Sequence, residues 1–224
     1  GIVVRGWDET TMGPRPDIYH GGEASYSTLF SGLVKVNNGY LSLENQDAAG
    51  TARISLEAST SVLNLSVNNQ KLALGQEYSW TIDNQIDGSG QVIKTGDGVV
   101  ILGDPATRKI VNTYSTGTDI SNGVLRPVTP AALGTGSVTL TGGMLDLKYT
   151  NLTIGGLTSM SGSSDYSSGV VWLRTEDNAS LGRILTISNG STQTFSGHIV
   201  DWKGAQNAAT NIWEPDAASN VSLG

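Results

Sequence analysis

The chain has 224 residues, 29 of them glycine and none cysteine, and a formal net charge of −7. The missing cysteines remove disulfides, thiol catalysis and thiolate metal sites together, and an acidic balance without a basic cluster argues against a nucleic-acid partner. Charged residues are 15% of the chain, against about a quarter in an average domain, and no apolar run approaches the ~20 residues of a membrane-spanning helix.

The opening, GIVVRGWDE, lacks a basic start followed by an apolar stretch, so no signal peptide is read there. Both ends are Gly in mid-pattern, and the chain reads as a piece of something longer. Residues 1–24, with Gly13-Pro14-Arg15-Pro16, fit no pattern and are expected to form a loop. In ARISLEASTSVLNLSV, Ile54 and Leu56, then Leu63, Leu65 and Val67, alternate with polar residues, which is the period-two signature of strands. YSWTI, around Trp80, is strand-like. GSGQVIKTGDGVVILG, residues 88–103, reads as two short strands whose glycines mark corners, with Val92 turned inward and Lys94 outward. In SVTLTGGMLDL, Val138 and Leu140 oppose Ser137, Thr139 and Thr141, and Leu145 and Leu147 follow a Gly-Gly turn. Residues 156–169 read as a loop or insertion. VVWLR, around Trp172, is strand-like again. NQDAAGTA and TPAALGTG fit at most one helical turn each, and no window carries a helical stripe over three turns. The chain is expected to be all-β, with short strands.

Residues 37–56 align without a gap to residues 121–140, 84 positions further on. Asn38-Gly39 meets Asn122-Gly123, Leu41 meets Leu125, Gly50-Thr51 meets Gly134-Thr135, Ile54 meets Val138 and Leu56 meets Leu140. Leu63-Asn64-Leu65 then meets Leu145-Asp146-Leu147 at an offset of 82. Strand–turn units in tandem predict a solenoid, because one coil of short strands buries its apolar face only when the next is stacked on it. A sandwich or barrel is the other all-β architecture of this size.

The residues from Gly88 to Leu147 resemble the passenger-associated transport repeat of bacterial autotransporters. The matches are Gly88, Gly90, Lys94, Thr95, Gly96 and Gly98; then Asn112, Thr113, Tyr114, Gly117 and Thr118; then Asn122, Gly123, Leu125, Ala132, Leu133, Gly134 and Gly136. Residues 26–87 and 88–184 read as two units, with a partial third from 185. The TRKI segment before Val111 lengthens one linker, and DWKGAQNAATNIWEPDA replaces an expected glycine-rich strand. The resemblance implies a right-handed parallel β-helix, a single-stranded solenoid, from an autotransporter passenger displayed on the cell surface or secreted. It implies a structural and adhesive role. The expected partners are a host or neighbouring cell surface, a glycan, or a second copy of the chain, with no membrane insertion by this segment and no cofactor. Rows of Thr, Asn and Ser are expected on the outside.

No catalytic or metal-binding residue is assigned. The G-x-G-x-x-G pattern fails at Ile93, and Lys94-Thr95-Gly96 lacks the Ser-x-x-Lys and Ser-Asp-Asn partners it needs. DNQIDG, residues 83–88, departs from a calcium loop at Gln85 and Lys94 and reads as a turn. His20 and His198 are the only imidazoles. The alternative to a stalk is a carbohydrate-binding or carbohydrate-degrading β-helix. A degrading enzyme needs carboxylates ~5–10 Å apart on one face; Asp83, Asp87, Asp97, Asp119 and Asp146 are the candidates. Trp202 and Trp213 are open to two readings, as a clamp on the solenoid or as sugar-stacking rings; Trp80 and Trp172 read as core, and Trp7 is unplaced. The sequons at Asn64, Asn151, Asn178, Asn189 and Asn220 read as composition, and the Thr-x-Thr pairs at 116, 139 and 192 are too irregular for an ice-binding face.

Overall fold

A computed structural model describes residues 2–4, 31–44, 48–68, 77–159, 169–174, 182–188, 192–201, 204–206 and 213–215. All elements among these are strands, and none of the described residues belongs to a helix long and apolar enough to cross a membrane. Sheet 1 contains, in order, β1 (Ile2–Val4), β3 (Tyr40–Leu43), β5 (Val62–Ser66), β8 (Gln91–Thr95), β10 (Gly117–Ile120), β12 (Ser137–Leu140) and β15 (Gly156–Ser159). Sheet 2 contains β6 (Ser79–Ile82), β9 (Val99–Leu102), β11 (Val124–Pro127), β13 (Met144–Asp146), β16 (Val170–Trp172) and β18 (His198–Val200). Sheet 3 is β2 (Leu33–Val36), β4 (Arg53–Leu56) and β7 (Ile86–Gly88); sheet 4 is β14 (Leu152–Ile154) and β17 (Leu185–Ile187). Every pairing in these four sheets is parallel. The one antiparallel pair is β19 (Gly204–Gln206) with β20 (Trp213–Pro215).

Twice the chain visits three sheets in turn, sheet 3 then sheet 1 then sheet 2, as β4–β5–β6 and β7–β8–β9; elsewhere one sheet is passed over, as from β3 to β4 and from β9 to β10. Alternation then sorts each strand's residues. Inward from sheet 1 run two rows in register, Leu41–Leu63–Val92–Thr118–Val138–Leu157 and Leu43–Leu65–Lys94–Ile120–Leu140–Ser159. Trp80–Val100–Leu125–Leu145–Val171–Ile199 is the matching row of sheet 2. Nearly all these aliphatic side chains are buried in one core. Each fully buried Val, Leu or Ile stabilises by roughly 1.5–3 kcal/mol, so a single strand inserted out of phase would forfeit its whole contribution.

The corners are held by polar side chains that do the work of backbone. Asn84 Nδ2 donates to the carbonyls of Gly50 (3.0 Å) and Ala52 (2.8 Å). Asn112 accepts from Ile86 N–H (2.8 Å) and donates to Ala132 O (2.7 Å), joining the passes of chain on either side of it. Asn112→Ala leaves a buried donor and acceptor unpaired and is expected to cost about 2 kcal/mol, read as a lowered denaturation midpoint with an unchanged m-value. At Gly96 (φ 72°) a Cβ would collide with the Val67 carbonyl of the preceding pass. Here the left-handed backbone and the close approach both require glycine.

The structure differs from the sequence reading at several points. Ile2–Val4, within the 1–24 stretch expected as a loop, form β1. Gly156–Ser159, expected as the start of a loop, form β15; the rest of that stretch, 160–168, lies outside the described residues, as do residues 5–24. Lys94, expected to face outward, is fully buried. It has the same parity as Val92, and the alternation that turns one inward turns the other inward too. The internal repeat also does not return to the same sheets. β3, β4 and β5 lie in sheets 1, 3 and 1, whereas their aligned counterparts β11, β12 and β13 lie in sheets 2, 1 and 2. Each strand of the second copy sits one sheet further along the order 3, 1, 2. The turns ending in Gly50 and Gly134 keep their form: Gly50 (φ 55°) and Gly134 (φ 65°) are both left-handed.

Sheet 1 ends at β15. The next position is taken by residues 192–196, which form no strand. There the Gln193 side-chain carbonyl accepts from Leu157 N–H (2.6 Å), and Ser196 N–H donates to Ser159 Oγ (2.7 Å). A side-chain amide thus occupies an edge that would otherwise be open to another strand.

Candidate functional site

Three places carry more chemistry than packing needs. The first is the outward face of sheet 1, where Ser42, Asn64, Ile93, Asp119, Thr139 and Thr158 stand in register. Asn64 donates to Ser42 Oγ (3.1 Å) and accepts from Thr95 Oγ1 (2.9 Å). Asp119 accepts from Thr141 Oγ1 (3.0 Å), and Thr139 bonds Thr158 (3.0 Å). Successive strands lie ~4.8 Å apart, so these groups form a regular row, polar except at Ile93, of the kind expected from the sequence. The ladder is buried at Ser42 and Asn64 and half-exposed from Asp119 to Thr158. The burial takes the Asn64 sequon away from the surface.

Sheet 2 has no such ladder, which corrects the expectation of polar rows outside. Of its outward residues Val99, Ile101, Val124, Arg126, Asp146, Val170, Trp172 and Val200 are buried, and Ser79, Thr81, Met144 and His198 at its rim are half-buried. At their centre Asp146 accepts from Arg126 Nε (2.5 Å) and from Arg174 Nε (3.0 Å) and Nη2 (2.6 Å). Glu77 accepts from both Arg126 Nη atoms, the Nη2 bond being 2.8 Å. The Arg174 guanidinium lies 4.0 Å from the centroid of the Trp172 ring, a cation–π geometry. Burial works to raise the Asp146 pKa, but Arg126 and Arg174 outweigh it and hold the carboxyl below the ordinary range. Burial alone would lower the Arg126 pKa; Asp146 and Glu77 reverse that and raise it. Trp80 and Trp172 are buried, as their strand-like contexts predict. Trp7, His20 and Trp202, and the sequons at Asn178, Asn189 and Asn220, lie outside the described residues; of Trp213 only the backbone is described, in β20.

Lys94 is the second place. Its ammonium donates to the carbonyls of Thr95 (2.6 Å), Gly96 (2.7 Å) and Asn122 (3.2 Å). It therefore pins the turn after β8 to the turn before β11. Burial pushes its pKa down to about 7, against the opposing pull of Asp97.

The third is a recess of about 280 Å³ lined by Asp83, Gln85, Asp104, Thr107, Lys109, Ile110 and Val111. It lies where the 83–85 corner meets the 103–111 loop.

The five carboxylates named from the sequence are not brought to one face. Asp87 lies in sheet 3, ion-paired to Arg53 and bonded to Ser55 Oγ (2.8 Å); Asp119 lies outward on sheet 1, and Asp146 is locked in sheet 2. Asp83 lines the recess and Asp97 sits exposed in the β8–β9 turn. The DNQIDG segment is a corner followed by β7. Among the described residues no cluster of three or more His, Asp or Glu is placed to hold a metal ion. The ion cluster of sheet 2 was missed in the sequence because Arg126 and Asp146 each look like an outward strand residue. The one available signal was their equal phase relative to Leu125 and Leu145.

The chain matches no protein-family model, no curated protein and no solved structure at a significant level.

Proposed function

We propose that the chain is a segment of right-handed parallel β-helix, the rigid stalk of an autotransporter passenger that acts as an adhesin on, or released from, a bacterial surface. The observation that carries this reading is the in-register stacking of sheet 1 over six consecutive strands: two inward rows, apolar except at Thr118, Lys94 and Ser159, and one outward row, polar except at Ile93. Parallel sheets visited in turn support a coil, and stacked coils give stiffness because each contacts only its neighbours. The motif from Gly88 to Leu147 supports the passenger assignment. The half-exposed stretch from Asp119 to Thr158 is the contact surface of this reading. A second role lies in export, where folding that starts at one end and propagates coil by coil would draw the passenger outward.

Deleting residues 88–147 from the full-length protein tests both roles. The stalk reading expects surface yield to fall and cell attachment to fall with it. Unchanged surface yield sinks the export role, and unchanged attachment by the displayed deletion protein sinks the adhesive one.

A further inference from the structure

The recess at residues 83–85 and 103–111 is built more rigidly than a connecting loop requires. Asn84 points inward and anchors the corner by its bonds to Gly50 and Ala52. Asp83 and Gln85, on either side of it, are therefore exposed. The opposite wall is the lengthened linker. Asp104 Oδ1 accepts from Ala106 N–H (2.9 Å) and Oδ2 from Thr107 N–H (3.2 Å), and these bonds lower its pKa. Arg108, in the left-handed region at φ 49°, donates through Nη1 to Tyr149 O (3.2 Å) and lies 5.9 Å from the centroid of the Tyr149 ring. Ile110 is buried, and its carbonyl accepts from Thr129 Oγ1 (2.7 Å).

Held this way, the loop presents Val111 at 53% exposure. The Gln85 carbonyl accepts from Ile54 N–H (2.8 Å), but the side chains of Asp83, Gln85 and Lys109 make no hydrogen bond or ion pair among the described residues. An open carboxylate, an open amide and an open ammonium thus converge on a small apolar floor. A few placed polar groups on an apolar base is the pattern of a small-molecule site, and the volume falls just under the ~300 Å³ at which drug-sized pockets begin. One monosaccharide-sized unit fits. Two carboxylates against one ammonium leave the recess net negative, which favours a ligand carrying a positive charge.

We propose that this recess binds a single amine-bearing sugar, a hexosamine unit. Asp83 would accept from its ammonium, Gln85 and Lys109 would bond its hydroxyls, and Val111 would lie against its C–H face. The choice of a sugar rests on the surface-contact reading above. The binding itself does not, since the recess sits apart from the sheet 1 ladder.

The test is calorimetric titration of the 224-residue chain with glucosamine, and separately with glucose and with calcium chloride, alongside amide chemical-shift mapping. Glucosamine should bind saturably with a Kd on the order of 1 mM, with shifts confined to residues 83–85 and 104–111, and glucose should bind roughly tenfold more weakly. Asp83→Asn should weaken glucosamine binding roughly tenfold without changing the melting temperature, because Asp83 has no partner to lose. No saturation, shifts elsewhere, equal binding of glucose, a response to calcium alone, or an Asp83→Asn chain that binds like wild type would each overturn the proposal. These measurements do not depend on display or attachment, so the recess and the stalk reading can fail separately.

Discussion

Asp146→Asn is expected to destabilise the protein by about 3–5 kcal/mol, the cost of leaving a buried ion cluster without one partner. The carboxylate is fully buried and accepts from Arg126 and Arg174 together. An amide of the same shape removes the negative charge and turns one acceptor into a donor facing two guanidiniums. Glu77 still reaches Arg126, so Arg174 is the group left uncompensated. Replacing Glu77, Arg126, Asp146 and Arg174 together by apolar residues should cost less than Asp146→Asn alone, because desolvation of the charges disappears with them. Urea titration of the three proteins measures this; an Asp146→Asn protein within about 1 kcal/mol of wild type would show that the cluster contributes little. The pH dependence has a definite sign. The folded pKa of Asp146 lies below the ordinary carboxylate value, so its contribution is complete above about pH 4 and is lost as pH falls through the folded pKa. Wild type should lose stability on acidification more steeply than Asp146→Asn.

Lys94→Ala carries the second large effect, about 3 kcal/mol from a cavity in an aligned row together with carbonyls stripped of their donor. Lys94 sits between Leu65 and Ile120 in that row, and its ammonium serves carbonyls on two separate turns. Lys94→Met keeps most of the volume, so it should cost less than Lys94→Ala, and the difference between them isolates the cavity. A further readout comes from linkage. The folded pKa is pushed down to about 7 while the unfolded value is about 10.4. Between these the unfolded chain binds more protons, so Lys94's contribution becomes more favourable as pH rises. The deficit of Lys94→Met relative to wild type should therefore be larger at pH 9 than at pH 6. A deficit independent of pH would mean that the lysine is charged in both states throughout.

Much of the core was readable in the sequence because period-two alternation is a local property. Leu63 and Leu65, Val138 and Leu140, and Leu145 and Leu147 are all buried where alternation puts them. Val92 and Lys94 show the limit of reading by residue type. Charge argued for the outside, phase argued for the inside, and phase won because three carbonyls were available to the ammonium. The burial of sheet 2's outward face could not be read locally, since it depends on which segments lie over Arg126 and Trp172. The recess was equally hidden: Asp83, Gln85 and Lys109 are 26 positions apart at the extremes, and only the stacking of one corner on the next loop brings them together.

The displacement of the repeat by one face bears on how such a chain can change over generations. β4 and its counterpart β12 carry the same apolar phase, yet one belongs to sheet 3 and the other to sheet 1. The strand sequence specifies inside from outside but not which wall it joins; wall identity comes from the count of strands and turns before it. A duplication or deletion by recombination therefore need not return each strand to the sheet of its counterpart. Material arriving out of step can be accommodated in a neighbouring sheet rather than rejected as a register error, provided its turns keep their left-handed glycines. What such an event does alter is the sheet to which each strand belongs, so a set of outward side chains can be moved to another sheet without a single substitution within it.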